Sequence, residues 1–126
     1  MKTILTLIIL FISTTLFAQE HLLQETPYIY VKESIGKGKP YFLEIGSDSC
    51  HSCKIMGKLL YKVKQKYPTY EIAFINVKKE RHVAQQLQIR MIPTQIIYDK
   101  KGKEVYRHIG LLETQTLLEL LKKHQF

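Results

Sequence analysis

The 126-residue sequence has no tryptophan, two cysteines, four prolines, and 11 acidic residues against 19 lysines and arginines. Each shortage closes off a class of protein. Two cysteines cannot build the multi-bridge framework of a small disulfide-rich domain. There is no second Cys pair, and His21, His51, His82, His108 and His124 show no His-x3–5-His spacing, so a structural zinc site lacks its four ligands. Position 54 is lysine, not the histidine that covalent haem attachment needs after the second cysteine. No internal repeat, low-complexity tract or long linker divides the chain, and no NAD or flavin fingerprint is present. The expected cofactor is none. The formal charge of +8 comes without a nucleic-acid-binding motif, and we read it as solvated helix faces.

The longest apolar run is N-terminal. Met1 and Lys2 give a positive start, residues 4–17 are apolar apart from Thr6, Ser13, Thr14 and Thr15, and Ala18 precedes polar Gln19 and Glu20. That is the pattern of a secretory signal peptide over residues 1–18. The run falls short of the ~20 apolar residues of a spanning helix. Leu16 is a poor residue three positions from the break, so an uncleaved membrane anchor is the alternative. Residues 19–126 then make one domain, large enough to bury a core without staples. The expected location is exported, periplasmic or otherwise extracytoplasmic, where a Cys pair tends to be oxidised unless something spends electrons on it.

Periodicity outlines the rest. "YIYV" (28–31) alternates like a short or edge strand, and residues 33–39 read as a brief helix or turn stopped by Gly36, Gly38 and Pro40. "YFLEIG" (41–46) reads as a buried central strand with one acid inside it. From Cys50, Met56, Leu59, Leu60, Val63 and Tyr67 recur at helical spacing up to Pro68, predicting a helix over 50–66. A strand over 70–77, a short helix over 79–87, a hairpin of 94–99 and 104–110, and a closing amphipathic helix over 111–124 follow. This β-α-β-α-β-β-α order predicts an α/β fold with a central mixed sheet flanked by helices. Strands separated by helices should run parallel, and the hairpin should be antiparallel. Tyr28, Tyr30 and Tyr41 read as packing residues, and His82 and His108 as surface or strand histidines.

Cys50-x-x-Cys53 is the chemical centre. A disulfide closing so short a loop stabilises little, which argues against a purely structural role. Cys50 opens a helix directly after a buried strand, where unpaired backbone N–H groups and the helix dipole favour thiolate over thiol. His51, when protonated, adds a positive charge beside it. A thiolate attacks a partner's disulfide, and Cys53, one turn on and facing inward, can resolve the mixed disulfide. Cys50 therefore attacks and Cys53 resolves. A soft-metal site of Cys50, Cys53 and His51 is the competing chemistry, though we expect no bound metal.

Glu44 lies inside an apolar strand, six residues before Cys50. A charged carboxyl buried there without a partner costs several kcal/mol, so its proton affinity should rise. It could then take or return the proton of Cys53, directly or through a water. The alternative places it at the sheet surface, paired with a lysine. Pro93, in "RMIPT" (90–94), is by default a strand-start proline.

Together these stretches resemble the thioredoxin family. "YFLEIG", the Cys50-x-x-Cys53-Lys54 helix start, "FINVKK", "QLQIRMIPTQIIYDKKGKEV" and Gly110 follow the family's order across roughly residues 40–124. The resemblance implies a thioredoxin-like fold and a redox-active Cys50–Cys53 disulfide. It implies a cis bond before Pro93, which would pack beside the pair, and a backbone at Ile92 that binds an incoming client strand. His51 joins Ile92 and Pro93 as an expected substrate-binding residue. Glu44 falls where relatives carry a buried acid.

Ser49-Cys50-His51-Ser52-Cys53 departs from the usual Trp-Cys-Gly-Pro-Cys, which weighs against a general cytoplasmic reductase. A histidine between the cysteines pushes toward oxidising behaviour, yet oxidising relatives carry a large helical insertion absent here. The compact chain looks more like exported reductases that keep client cysteines reduced, as in cytochrome c maturation or sulfur metabolism. The expected function is an exported thiol–disulfide oxidoreductase, monomeric, acting on client proteins and served by a membrane electron donor or oxidant. A disulfide-forming oxidant is one alternative, and a metal- or client-binding module without turnover is the other.

Overall fold

Bounded by Pro40 and Gly46, the apolar stretch 41–46 becomes the strand around which the rest packs. The computed structural model describes residues 21–126, so the expected signal segment lies outside the described residues. Strand β1 (Tyr41–Gly46) is buried along its whole length. On one side it pairs in parallel with β2 (Glu71–Asn76), and on the other antiparallel with β3 (Thr94–Tyr98). β4 (Glu104–Ile109) closes an antiparallel hairpin onto β3, giving the order β2-β1-β3-β4. Asp99 shapes the hairpin turn, its Oδ1 accepting the N–H groups of Lys101 and Lys103 at 2.9 Å each.

Helices cover both faces because successive β1 side chains point opposite ways. Tyr41, Leu43 and Ile45 pack with Tyr28 and Val31 of α1 (Tyr28–Ser34) and Val83 of α3 (Arg81–Gln86). Phe42 packs on the other face with Met56, Leu60 and Val63 of α2 (His51–Lys66), and with Leu117 and Leu121 of α4 (Thr114–Lys123). Alternation puts Glu44 and Gly46 on this second face, under α2. The leading segment lies along the free edge of β2, where the Thr26 N–H donates to the Phe74 carbonyl at 2.7 Å.

Two expectations are corrected. Residues 28–31 are helical, not a strand: Tyr28 and Val31 are buried at a spacing of three, while Ile29 and Tyr30 are exposed, so Tyr30 is no packing residue. The helix is capped from a distance. The Glu80 carboxylate accepts the Tyr28 N–H at 3.1 and 3.2 Å, satisfying a donor that the preceding Pro27 cannot.

The strand after α3 is also not parallel to its predecessor; β3 crosses to the far side of β1 and runs against it. A six-residue helix rises about 9 Å, whereas β1 is about 20 Å long. The connection over 77–93 therefore starts and ends at one end of the sheet, and Thr94 stands opposite Ile45 there. This reversal brings the 91–93 loop to the carboxyl end of β1, where α2 begins.

Candidate functional site

At that end the chain leaves β1 at Gly46, turns through Ser47, Asp48 and Ser49, and enters α2 with Cys50 as its N-cap. Cys50 has extended backbone angles (φ −91°, ψ 120°), and its Sγ accepts the Cys53 N–H at 3.3 Å. A sulfur thus takes the place that a serine or aspartate oxygen fills at most helix starts. Cys50 and Cys53 are joined as a disulfide with Cα atoms 5.1 Å apart. Cys50 is half-buried, Cys53 is 6% exposed, and His51 is exposed on the first helical turn.

Gly46 makes room for this pair, and the sequence reading missed it. A Cβ there would lie 2.7 Å from Cys53 Sγ and 3.1 Å from Cys53 Cβ. The signal was the glycine that ends the apolar strand, which reads from sequence as a simple terminator. A cavity of about 270 Å³ opens beside Cys53, walled by Leu22, Leu23, Glu25, Asp48 and Phe74 among others.

Glu44 is 1% exposed, which excludes the surface alternative. Burial pushes its carboxyl up to about 8, partly opposed by a hydrogen bond from Gln95, whose Nε2 lies 3.4 Å from Glu44 Oε1. The second carboxyl oxygen, Oε2, has no hydrogen-bond partner among the described residues. Gln95 was not singled out in the sequence, where "TQIIYD" reads only as a strand.

The Ile92–Pro93 peptide bond is cis. Pro93 is buried, Ile92 half-buried and Met91 exposed, so the loop offers a surface next to a packed base. The Pro93 carbonyl accepts the Gly110 N–H at 2.8 Å, and Thr94 Oγ1 donates to the Met91 carbonyl at 2.6 Å. Gly110 holds φ +100°, a left-handed conformation that glycine adopts without strain. The register thus places Ile92 and Pro93 at the end of the sheet where α2 begins with the Cys50–Cys53 pair. Glu44 lies two residues inside that end of β1, and His51 is exposed on the first turn of α2. His82 is exposed, and the His108 ring lies 3.1 Å from the Leu111 carbonyl. Among the described residues no three His, Cys, Asp or Glu side chains cluster as a metal site.

Comparison with known proteins agrees with this geometry. A family model described as a thioredoxin-like domain matches residues 29–125. Thioredoxin of Chlamydia trachomatis is 30% identical over 93 residues, 74% of this chain and 89% of that protein. Fasciola hepatica thioredoxin superposes with a TM-score of 0.66 at 22% identity, over 78% of this chain and 90% of that one. For chloroplastic thioredoxin z the TM-score is 0.73 at 16% identity, over 82% and 95% of the two chains. The chain belongs to the thioredoxin-like family and, with its Cys50-x-x-Cys53 disulfide at the start of α2, is a thiol–disulfide oxidoreductase.

Proposed function

We propose that this oxidoreductase is exported and exchanges its Cys50–Cys53 couple with the cysteines of client proteins, chiefly as a reductase. The observation that carries the exchange itself is the cap, a sulfur at a helix start receiving the N–H of the residue it is bonded to. It supports attack by Cys50 on a disulfide, whereas the reducing direction rests on the compactness of the chain. In the reduced protein the same N–H faces a Cys50 thiolate. The helix dipole contributes about 0.3–1 kcal/mol, less than one pKa unit. A hydrogen bond to a charged group contributes roughly 1.5–3 kcal/mol in general, so the cap is the larger effect.

The Cys50 thiolate attacks a client disulfide, forming a Cys50–client bond and expelling one client sulfur as thiolate. Glu44, in the molecules where it is ionised, takes the proton of Cys53 directly or through a water, and the Cys53 sulfur then attacks Cys50 Sγ. The bond that forms is the Cys50–Cys53 disulfide, and the second client sulfur leaves with the electron pair. Two electrons reach the client, and the Cys53 proton rests on Glu44. Burial brings the Glu44 carboxyl up to about 8, far nearer to a thiol than an exposed carboxyl stands, and so lowers the uphill step of this transfer. Ile92, Pro93 and His51 border the attacking sulfur's end of the sheet and supply the client-docking surface.

The short connection over 77–93, holding one six-residue helix, supports the reducing direction, because oxidising relatives carry a large helical insertion. His51 favours the second reading, an oxidant, since a positive charge stabilises the reduced thiolate. Equilibration with glutathione decides: a potential near ~−270 mV supports the reductase, and one near ~−120 mV overturns it. Export rests on residues 1–18, and recovery of the protein in the cytoplasm with Met1 intact would overturn it. Clients are identified with a Cys53→Ser variant, which should accumulate mixed disulfides through Cys50. With no NAD or flavin fingerprint of its own, the protein takes its electrons from a membrane donor.

A further inference from the structure

On the sheet, Glu44 has two lateral neighbours in register, Phe74 of β2 and Gln95 of β3. Phe74 offers no hydrogen bond. Gln95, fully buried, does: its Nε2 lies 3.4 Å from Glu44 Oε1 and 3.0 Å from the Gly110 carbonyl. Both amide hydrogens are thereby used, and Gln95 Oε1 is left without a partner among the described residues, as is Glu44 Oε2. The Gly110 carbonyl decides which way the amide faces. Turned over, Gln95 would set its own oxygen against that carbonyl and leave a buried acceptor facing another. Gly110 is in turn held by its N–H to the Pro93 carbonyl at 2.8 Å. A continuous hydrogen-bonded path therefore runs from the client-docking loop through Gly110 and Gln95 to the buried acid.

We propose that Gln95 is a positioning residue for thiol–disulfide exchange: held by Gly110, its amide presents an N–H to Glu44 and keeps that carboxyl able to ionise when Cys53 must lose its proton. The inference rests on Glu44 being the proton acceptor. Donated N–H groups favour carboxylate, whereas burial favours the acid, so the amide offsets part of the burial. Other groups near this face do not substitute for it. From α2 the titratable side chain is Cys53, the packed residues Met56, Leu112 and Leu117 carry no charge, and β2 supplies Phe74. On β4, His108 stands opposite Gln95, its ring against the Leu111 carbonyl. Burial raises the Glu44 carboxyl and the Gln95 hydrogen bond opposes it.

The test uses the full chain and two readouts. In the oxidised protein neither thiol titrates, so the Glu44 carboxyl can be followed alone by carbon NMR. Gln95→Met, which keeps length and apolar volume but removes the amide, should raise the Glu44 midpoint by about one pH unit. In the reduced protein, mixed with a small aromatic disulfide, release of the second thiolate reports the attack by Cys53. The alkaline inflection of its rate should move upward with Gln95→Met by the same amount. In Glu44→Gln it should move to that of the Cys53 thiol alone, where adding Gln95→Met shifts it no further. If Glu44→Gln moves the inflection while Gln95→Met leaves it in place, the role of Gln95 is overturned and that of Glu44 stands. If Glu44→Gln leaves the inflection untouched, both fall. Should Gln95→Met fail to fold, the wild-type Gln95 side-chain amide resonances must move with the Glu44 titration. Resonances that stay still overturn the proposal.

Discussion

Gly46 and Cys53 touch so closely that a methyl group on the glycine would stand 2.7 Å from the cysteine sulfur. Backbone freedom is not the reason, because the residue sits in a strand. Gly46→Ala should therefore cost about 1–3 kcal/mol in the oxidised protein, the usual penalty for overpacking. Urea unfolding measures it, and an unchanged midpoint would mean that α2 can shift without loss.

The two cysteines should react unequally once reduced. Cys50 is half-buried and capped by the Cys53 N–H, while Cys53 is 6% exposed. Iodoacetamide should label Cys50 first, with an inflection below the ~8.5 of a free thiol. Mass spectrometry of a time course reads the order. Labelling that began at Cys53, or an inflection at the free-thiol value, would contradict the capping argument.

Glu44 should leave a mark on the pH dependence of stability. Its folded pKa is raised to about 8 from 4.5, so between those values the folded state holds a proton that the unfolded state has released. The resulting stabilisation is fully present below 4.5 and is lost as pH rises toward 8, at up to about 1.4 kcal/mol per unit. Glu44→Gln should remove that slope, so the stability of the variant relative to wild type climbs through this window and levels above it. Parallel curves for the two proteins would show that the carboxyl does not titrate as its burial requires.

The carboxylate of Glu80 should be worth a helix cap to α1. Replacing it with alanine leaves the Tyr28 N–H unpaired, at a cost of about 0.5–2 kcal/mol. Hydrogen exchange should show the α1 amides opening first, and uniform protection in Glu80→Ala would place the cap elsewhere.

Local pattern made the central features legible. The stretch 41–46 could only be a buried strand, and the helical spacing from Met56 to Val63 oriented Cys53 inward before any packing was known. Buried Glu44 stood out because a charged type inside an apolar run is costly. The short helix at Tyr28 was illegible, since its cap comes from Glu80, fifty-two residues away. Gln95 was illegible for the same kind of reason: its meaning lies in the register that sets it beside Glu44 and in the carbonyl of Gly110.

Sequence alone determined the chemistry available, two thiols one helical turn apart and an acid upstream of them, because spacing along one chain dictates which atoms share a helix start. Tertiary structure alone decided how that chemistry is tuned. The reversal of β3 across β1 brings Pro93, Gln95 and Gly110 to the same end, and proton affinity there depends on solvent exclusion and neighbours from separate strands. Such contacts have no local signature, since each is specified by where the chain returns and not by the residues beside it.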